Sequence, residues 1–143
     1  MPSKLYGNFL LKALNKEVDF DSDTIKVALL TSSYTPDQDT HDYFNDVSAN
    51  EVSGTGYTAG GATLGSKTAT YDSGTNVIVL DAADTTWSSS TITARYAVIY
   101  DSTGTSSTSA LIGYVDFGSD QSSTNGNFTI TWDATGIVRI TVA

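Results

Sequence analysis

Cysteine is absent from the 143 residues of this chain, and basic residues are few. Without cysteine the fold holds neither a disulfide bond nor a thiolate-ligated metal, and thiol catalysis is excluded. Seven Lys and Arg stand against sixteen Asp and Glu, which gives a formal net charge of −9. Because an acidic surface repels phosphate and gains nothing from counterion release, we expect no nucleic-acid partner.

Long apolar segments are also missing near the N-terminus. The apolar run 9–11 is short, Lys12 interrupts it, and no small-residue cleavage site follows. We therefore expect no secretory signal, no membrane partner and a protein made in the cytoplasm. The length suits one domain, 1–143, that is large enough to bury a hydrophobic core without disulfide bonds or structural metals.

Serine and threonine are abundant instead, with 18 and 22 residues. Threonine suits a half-exposed sheet surface and serine suits turns. The last third of the chain alternates apolar and polar residues over 93–101, 110–117, 127–132 and 138–142. Alternation with a period of two predicts strands with one face in a core. In the first of these strands we place Ala94, Tyr96, Val98 and Tyr100 on one face, and we interpret the last two strands as a hairpin around the turn 133–136.

Further strands are predicted upstream. Residues 24–30 are apolar at almost every position, which indicates a strand buried on both faces. Segments 62–71 and 77–80 form a second hairpin pattern, and 85–87 is one more short strand. Turns are predicted at 102–109 and 118–127. The expected fold is a mainly β, single-domain antiparallel β-sandwich of about seven or eight strands with a short N-terminal helix.

The N-terminal segment 1–16 carries the predicted helix, over residues 3–16. Ser3 is the expected N-cap, and apolar residues recur at three- and four-residue spacing. The resulting apolar stripe is covered either by the sandwich itself or by a neighbouring subunit.

Residues 31–61 lack periodicity and contain Pro36, several carboxylates and four glycines. We expect a long loop or arm here, with a short helical turn near 41–47. A segment of this length without regular structure is usually functional or ordered by a partner. It is therefore the second place where we expect contacts.

Two acidic groups raise the question of a metal. Asp19, Asp21 and Asp23 open like a calcium loop, but Thr24 and Leu30 stand where that motif needs Gly and Glu. A looser calcium site and a solvated acidic turn are the alternatives. The second group is Asp37, Asp39, His41, Asp42 and Asp46, which contains the single histidine. It either binds a hard cation or faces water, and our prediction includes no metal and no cofactor.

No group of residues in the sequence identifies a chemical reaction. One histidine leaves a Ser-His-Asp triad a single candidate base, and with fourteen Asp and two Glu some carboxylate pair arises by chance. We therefore expect a protein that is not an enzyme. Arg95 lies mid-strand and is expected to pair with Asp116 across strands. The loop tyrosines Tyr34, Tyr43, Tyr57 and Tyr71 suit either sugar stacking or a protein interface.

Several runs of residues together resemble small virion proteins of tailed bacteriophages, namely 26–30 (KVALL), 46–48 (DVS), 51–52 (EV), 54–57 (GTGY), 60–61 (GG), 94–101 (ARYAVIYD), 112–118 (IGYVDFG) and 128–132 (FTITW). The likeness covers nearly the whole chain and is nearest to head decoration, or cement, proteins. It implies a structural protein that forms a homo-oligomer on the outer capsid surface. The implied partners are the major capsid protein and copies of the chain itself, and the implied location is the virion, after synthesis in the bacterial host.

The alternative is a tail- or fibre-associated host-recognition module that binds glycans, and a hydrolase acting on the host envelope is a third option. For the capsid function we assign partner contacts to the N-terminal helix and to the 31–61 segment. The predicted contact residues are Leu5, Phe9, Leu10, Leu14, Tyr34, Tyr43, Phe44 and Tyr57.

Overall fold

A computed structural model gives the structure of the protein and describes residues 3–142. Met1 and Pro2, at the start of the predicted segment 1–16, and Ala143 lie outside the described residues. The regular elements are β1 (Ser3–Leu5), α1 (Phe9–Leu14), β2 (Ile25–Leu30), β3 (Ala62–Thr63), β4 (Thr68–Asp72), β5 (Val77–Asp81), β6 (Thr85–Asp101), β7 (Leu111–Ile130) and β8 (Val138–Thr141). Short 3₁₀ turns cover Phe44–Asp46, Ser48–Asn50 and Ser106–Thr108.

The strands form two antiparallel sheets, which confirms the predicted β-sandwich. The large sheet has the order β1-β7-β6-β2-β3 and the small sheet the order β4-β5-β8. Two apolar clusters lie on opposite faces of β2, because Val27 and Leu29 belong to one and Ala28 and Leu30 to the other. The predicted burial of this strand on both faces is confirmed.

The first cluster fills the space between the sheets and joins Val27 and Ile99 of the large sheet to Leu80 and Val138 of the small one. The second cluster covers the other face of the large sheet. There the loop 31–61 packs Tyr34, Phe44, Val47 and other apolar residues against Val98 and its neighbours. The 31–61 segment is thus a loop folded onto the sheet, with the expected helical turn at Phe44–Asp46.

The predicted helix is shorter than expected, and Ser3 is not its N-cap. Residues Ser3–Leu5 form a strand that pairs with residues Gly113, Tyr114 and Val115 of β7. The helix begins at Phe9 and ends at Leu14, where Lys16 adopts a left-handed φ of 63°. The amide of Glu17 donates to the Lys12 carbonyl and that of Lys16 to the Ala13 carbonyl, the pattern of a Schellman C-cap.

The predicted turn at 118–127 is wrong. The stretch 118–127 continues β7 as an irregular strand, in which four residues, 117–120, stand opposite Arg95 alone. Gly118 and Asn125 have positive φ and mark bulges within the strand, not a turn. The bulge also places Ala94 in the first cluster while Tyr96 packs on the second, so these two residues do not share a face.

The predicted C-terminal hairpin is also wrong in its pairing. The turn at 133–136 exists, closed by a bond from the Gly136 amide to the Asp133 carbonyl. Its two flanking strands lie in different sheets, because β7 pairs with β6 whereas β8 pairs with β5. The turn therefore carries the chain across the sandwich. The other hairpin, β4–β5, is confirmed for residues 68–81, while Ala62 and Thr63 pair with β2.

Candidate interaction surface

Helix α1 places its apolar residues on two sides. Phe9 is buried in the first cluster, whereas Leu10 is 44% exposed and Leu14 is 82% exposed. Lys12 is held on the buried side, where its ammonium donates to the Asp42 carboxylate and carbonyl at 3.2 Å. The sandwich therefore covers only one side of the apolar stripe.

A groove of about 740 Å³ separates α1 from the small sheet. Phe9, Leu10 and Ala13 line one wall, and Ala69, Ile78 and Ile140 line the other. The strand register explains the second wall, because Tyr71, Ile78 and Ile140 stand side by side on one face of the sheet. Val142 follows two residues after Ile140, and its amide extends the ladder by a bond to the Asn76 carbonyl.

The large hydrophobic side chains that are exposed among residues 3–142 lie on α1 and on or just after strands of the small sheet, the two elements that border the groove. They are Leu10, Leu11, Leu14, Tyr71 and Val142. Leu10 and Ile140 line the groove itself. We call the surface formed by Leu10, Leu14, Tyr71, Ile140 and Val142 the apolar face. Exposed apolar surface on a chain of net charge −9 is typical of a protein contact site.

Two of the predicted contact residues, Leu10 and Leu14, lie on the apolar face. Leu5 is half-buried against the first cluster, and Phe9 is inside that cluster. The assignment of Phe9 to a partner contact is therefore corrected, since its ring is covered by the protein's own core.

Tyr34 and Phe44 also lie in the core. The Tyr34 hydroxyl lies 2.8 Å from the Tyr6 hydroxyl and 3.0 Å from Nδ1 of His41, and burial raises the pKa of Tyr34 to about 12. The Phe44 ring stacks on Tyr100 with 4.1 Å between centroids. Both side chains fix the loop 31–61 on the sheet, so neither is accessible to a partner as predicted.

Tyr43 and Tyr57 are half-buried and bonded within the chain. The Tyr43 ring receives the Lys12 ammonium at 3.1 Å from its centroid, and its hydroxyl donates to Glu17 at 3.0 Å. The Tyr57 hydroxyl donates to Glu51 at 2.6 Å and accepts from the Leu29 amide at 3.0 Å, and burial raises its pKa. These contacts give both tyrosines a role in holding the loop.

The acidic group 37–46 is used for local hydrogen bonds. The Asp37 carboxylate accepts from the amides of Asp39 and Thr40, and Asp46 accepts from those of Asp42 and Tyr43. Although some burial opposes it, these amide donors lower the pKa of Asp46. Within residues 3–142, no three His, Asp or Glu side chains are grouped so that they could hold a metal ion.

Lys67 reaches into the loop around residues 19–23. Its ammonium donates to the carbonyls of Phe20 at 3.0 Å and Asp21 at 3.3 Å, and also to that of Asp23. The Asp19 and Asp23 carboxylates accept amide hydrogens of the same loop. The backbone carbonyls of this loop thus bind a lysine ammonium, and its Asp19 and Asp23 carboxylates are engaged in local hydrogen bonds.

Asp101, at the end of β6, faces this loop and is 3% exposed. One of its carboxyl oxygens, Oδ2, has no hydrogen-bond donor. Burial and then the neighbouring Asp23 carboxylate raise the pKa of Asp101 to about 7. A proton on Asp101 removes the charge from the buried carboxyl group. It also lets the neutral carboxyl group donate a hydrogen bond to the Asp23 carboxylate.

The predicted pair of Arg95 and Asp116 is confirmed. The Arg95 Nε lies 2.7 Å from Asp116 Oδ1, and Nη2 donates to Oδ2 at 3.4 Å. The guanidinium lowers the pKa of Asp116, as does the amide of Gly118. The Gly118 bond ties this ion pair to the bulge in β7.

Comparison of the chain with protein-family models, with curated proteins and with solved structures found no match. Between residues 3 and 142, no helix combines the length and the apolar character that crossing a membrane requires.

Sequence reasoning missed the half of the apolar face that the small sheet supplies. Tyr71 was considered as a loop tyrosine, and Ile140 and Val142 were assigned to a core-facing strand. One sequence signal could have identified these residues. The alternation of apolar and polar residues continues to the ends of their strands, beyond the length that a small core can cover. Neither Lys67 nor Asp101 carried a sequence signal. Both contact the loop around residues 19–23, which lies more than forty residues earlier in the chain.

Proposed function

We propose that this chain is a non-enzymatic structural protein of a tailed-phage virion, which decorates and stabilises the outer capsid surface through protein contacts. The virion assignment rests on the resemblance that runs through nearly the whole sequence. The observation that carries the contact function is the apolar face, where α1 and the small sheet leave leucine, valine and tyrosine side chains exposed beside the half-buried Ile140.

The rest of the molecule is consistent with this role. Tyr34, Phe44 and Tyr57 hold loop 31–61 against the sheet by packing and hydrogen bonds, so the protein presents a rigid surface to the capsid shell. Many copies that bind the mature shell but not its open state stabilise that shell by mass action. The acidic surface keeps free copies soluble before they bind.

The glycan-binding alternative receives less support from the geometry. It needs exposed aromatic rings, and of the four loop tyrosines Tyr34 is buried while Tyr43 and Tyr57 are half-buried. Tyr71 is the aromatic residue that remains exposed among residues 3–142, at 56%. One ring offers a small stacking platform for a sugar, whereas the same ring adds to a contiguous apolar face.

The test is binding of purified protein to capsids that lack it, with Leu10→Ser and Leu14→Ser variants. Burying a leucine is worth about 1.5–3 kcal/mol, so we expect each variant to bind roughly 10- to 100-fold more weakly. Both leucines are exposed, and we therefore expect the melting temperature to stay close to that of the native chain.

Leu11→Ser is the matched control. Leu11 lies on the same helix about 100° around the axis from Leu10, whereas Leu14 lies about 40° from Leu10, so the effect of Leu11→Ser should be the smallest of the three. Electron microscopy of the decorated particles gives the location. Density confined to the tail, or native affinity in the Leu10→Ser and Leu14→Ser double variant, would contradict the proposal.

A further inference from the structure

Strand β4 is an edge strand without the usual protection. Its outer edge pairs with no other strand within residues 3–142, and all five of its residues are exposed. Its register with β5 runs from Thr68 to Asp72 without a shift, so no bulge twists the edge away. The strand contains neither proline nor lysine, and an open, regular edge of this kind pairs readily with another strand.

We propose that β4 is the self-association site of the protein, where it pairs antiparallel with β4 of a second copy about a two-fold axis at Thr70. The two small sheets then become one six-stranded sheet. Because that axis is perpendicular to the sheet, the apolar faces of both copies lie on the same side. Such an interface is isologous, as most dimer interfaces are.

The strand is complementary to itself in this register. Ala69 stands opposite Tyr71 of the second copy, on the face that carries the groove. Directly opposite side chains in antiparallel strands have Cβ atoms about 4.5–5.5 Å apart. The exposed ring of Tyr71 therefore covers the small Ala69 side chain at the groove wall, and each copy supplies both halves of this contact.

The charge distribution also favours a second copy at this edge. Although the chain has a net charge of −9, β4 holds a single carboxylate, Asp72. In the dimer Asp72 stands opposite Thr68 of the second copy, and the two Asp72 residues lie four positions apart, about 13 Å. Repulsion over that distance is largely screened at physiological salt.

This inference goes beyond the proposed function, because it concerns a second surface and a second copy of the chain. It leaves Leu10 and Leu14 free for a different partner. The test uses isolated protein without capsids, so failure of the dimer and failure of capsid binding give separate results.

Cysteine cross-linking tests the register, because the chain has no cysteine of its own. Thr70→Cys places two thiols opposite each other across the axis, at a Cα separation that suits a disulfide. Thr68→Cys is the matched control on the same strand, with its thiols about 13 Å apart. With oxidised glutathione we expect a covalent dimer from Thr70→Cys and monomer from Thr68→Cys.

Sedimentation velocity of the cysteine-free chain tests the interface itself. We expect a concentration-dependent dimer that Ala69→Arg abolishes, because the arginine occupies the place of the Tyr71 ring. Ala134→Arg makes the same change in an exposed turn away from β4 and should leave the dimer intact. A monomer at every concentration, or equal cross-linking of the two cysteine variants, would overturn the proposal.

Discussion

The Asp101 carboxyl group is buried away from water. Its neighbours are the backbone amide of Asp19, the carboxylate of Asp23 and the ammonium of Lys67, all held around one loop. Burial disfavours the charged form, and the Asp23 carboxylate adds to that effect. The result is one proton bound to the folded protein at a pH where an ordinary aspartate has lost it.

This proton predicts a pH-dependent stability. The pKa of Asp101 rises from an ordinary 3.8 to about 7, so folding favours the protonated form. The contribution of Asp101 to stability is therefore full below about pH 4, is lost as pH rises to about 7, and stays absent above it. Asp101→Asn keeps a donor for Asp23 without ionising, and we expect its melting temperature to fall less than that of the native chain between pH 5 and pH 8.

The control for this measurement is Asp120→Asn, which removes an exposed carboxylate from β7. Its melting temperature should follow the native curve over the same range. Equal slopes for Asp101→Asn and the native chain would show that Asp101 does not hold the proton. Thermal melts followed by circular dichroism at several pH values are sufficient.

At the scale of elements, glycines fix how loop 31–61 returns to the sheet. Gly54, Gly56, Gly60 and Gly61 all have positive φ, so the backbone turns sharply at these positions. Gly61 is the tightest of them, because a Cβ there would overlap the carbonyl oxygen of Val27 in β2. The close approach of two backbones explains why this position needs glycine.

Gly61→Ala should therefore be strongly destabilising. A strained φ costs about 1–3 kcal/mol, and an overpacked contact costs a similar amount. We expect a loss of about 3 kcal/mol or more in the free energy of unfolding, measured by urea denaturation.

Gly65→Ala is the matched control, since nothing lies within 4 Å of a Cβ at that position. Its effect should stay within about 0.5 kcal/mol. Equal stability of the two variants would contradict the close approach of the Gly61 backbone to β2.

At the scale of the whole molecule, the two clusters share the backbone of β2 and β6. The first cluster contains Trp87 and residues of both sheets, and the second contains Tyr6, Tyr34 and Tyr100 beneath the loop. Loss of either cluster would expose one face of the same two strands. The sandwich and the loop are therefore expected to unfold as one unit.

Tryptophan fluorescence and near-ultraviolet circular dichroism of the tyrosines test this cooperativity. We expect the two signals to give the same urea midpoint, because neither cluster persists without the shared strands. A tyrosine transition well before that of Trp87 would mean that loop 31–61 separates first. In that case the loop would be free to rearrange on a partner.

The sequence by itself determined the mainly β character, the β-sandwich class, the two-face burial of β2 and the pair of Arg95 with Asp116. These features follow from alternation along one strand or between neighbouring strands, which a local pattern records. Only the tertiary structure decided that β8 joins β5, that 118–127 forms bulges and that Phe9, Tyr34 and Phe44 are buried. It also decided that Asp101 meets Asp23 and that Leu10 stays exposed beside Ile140. These outcomes depend on which distant segments meet, and a local period carries no information about that choice.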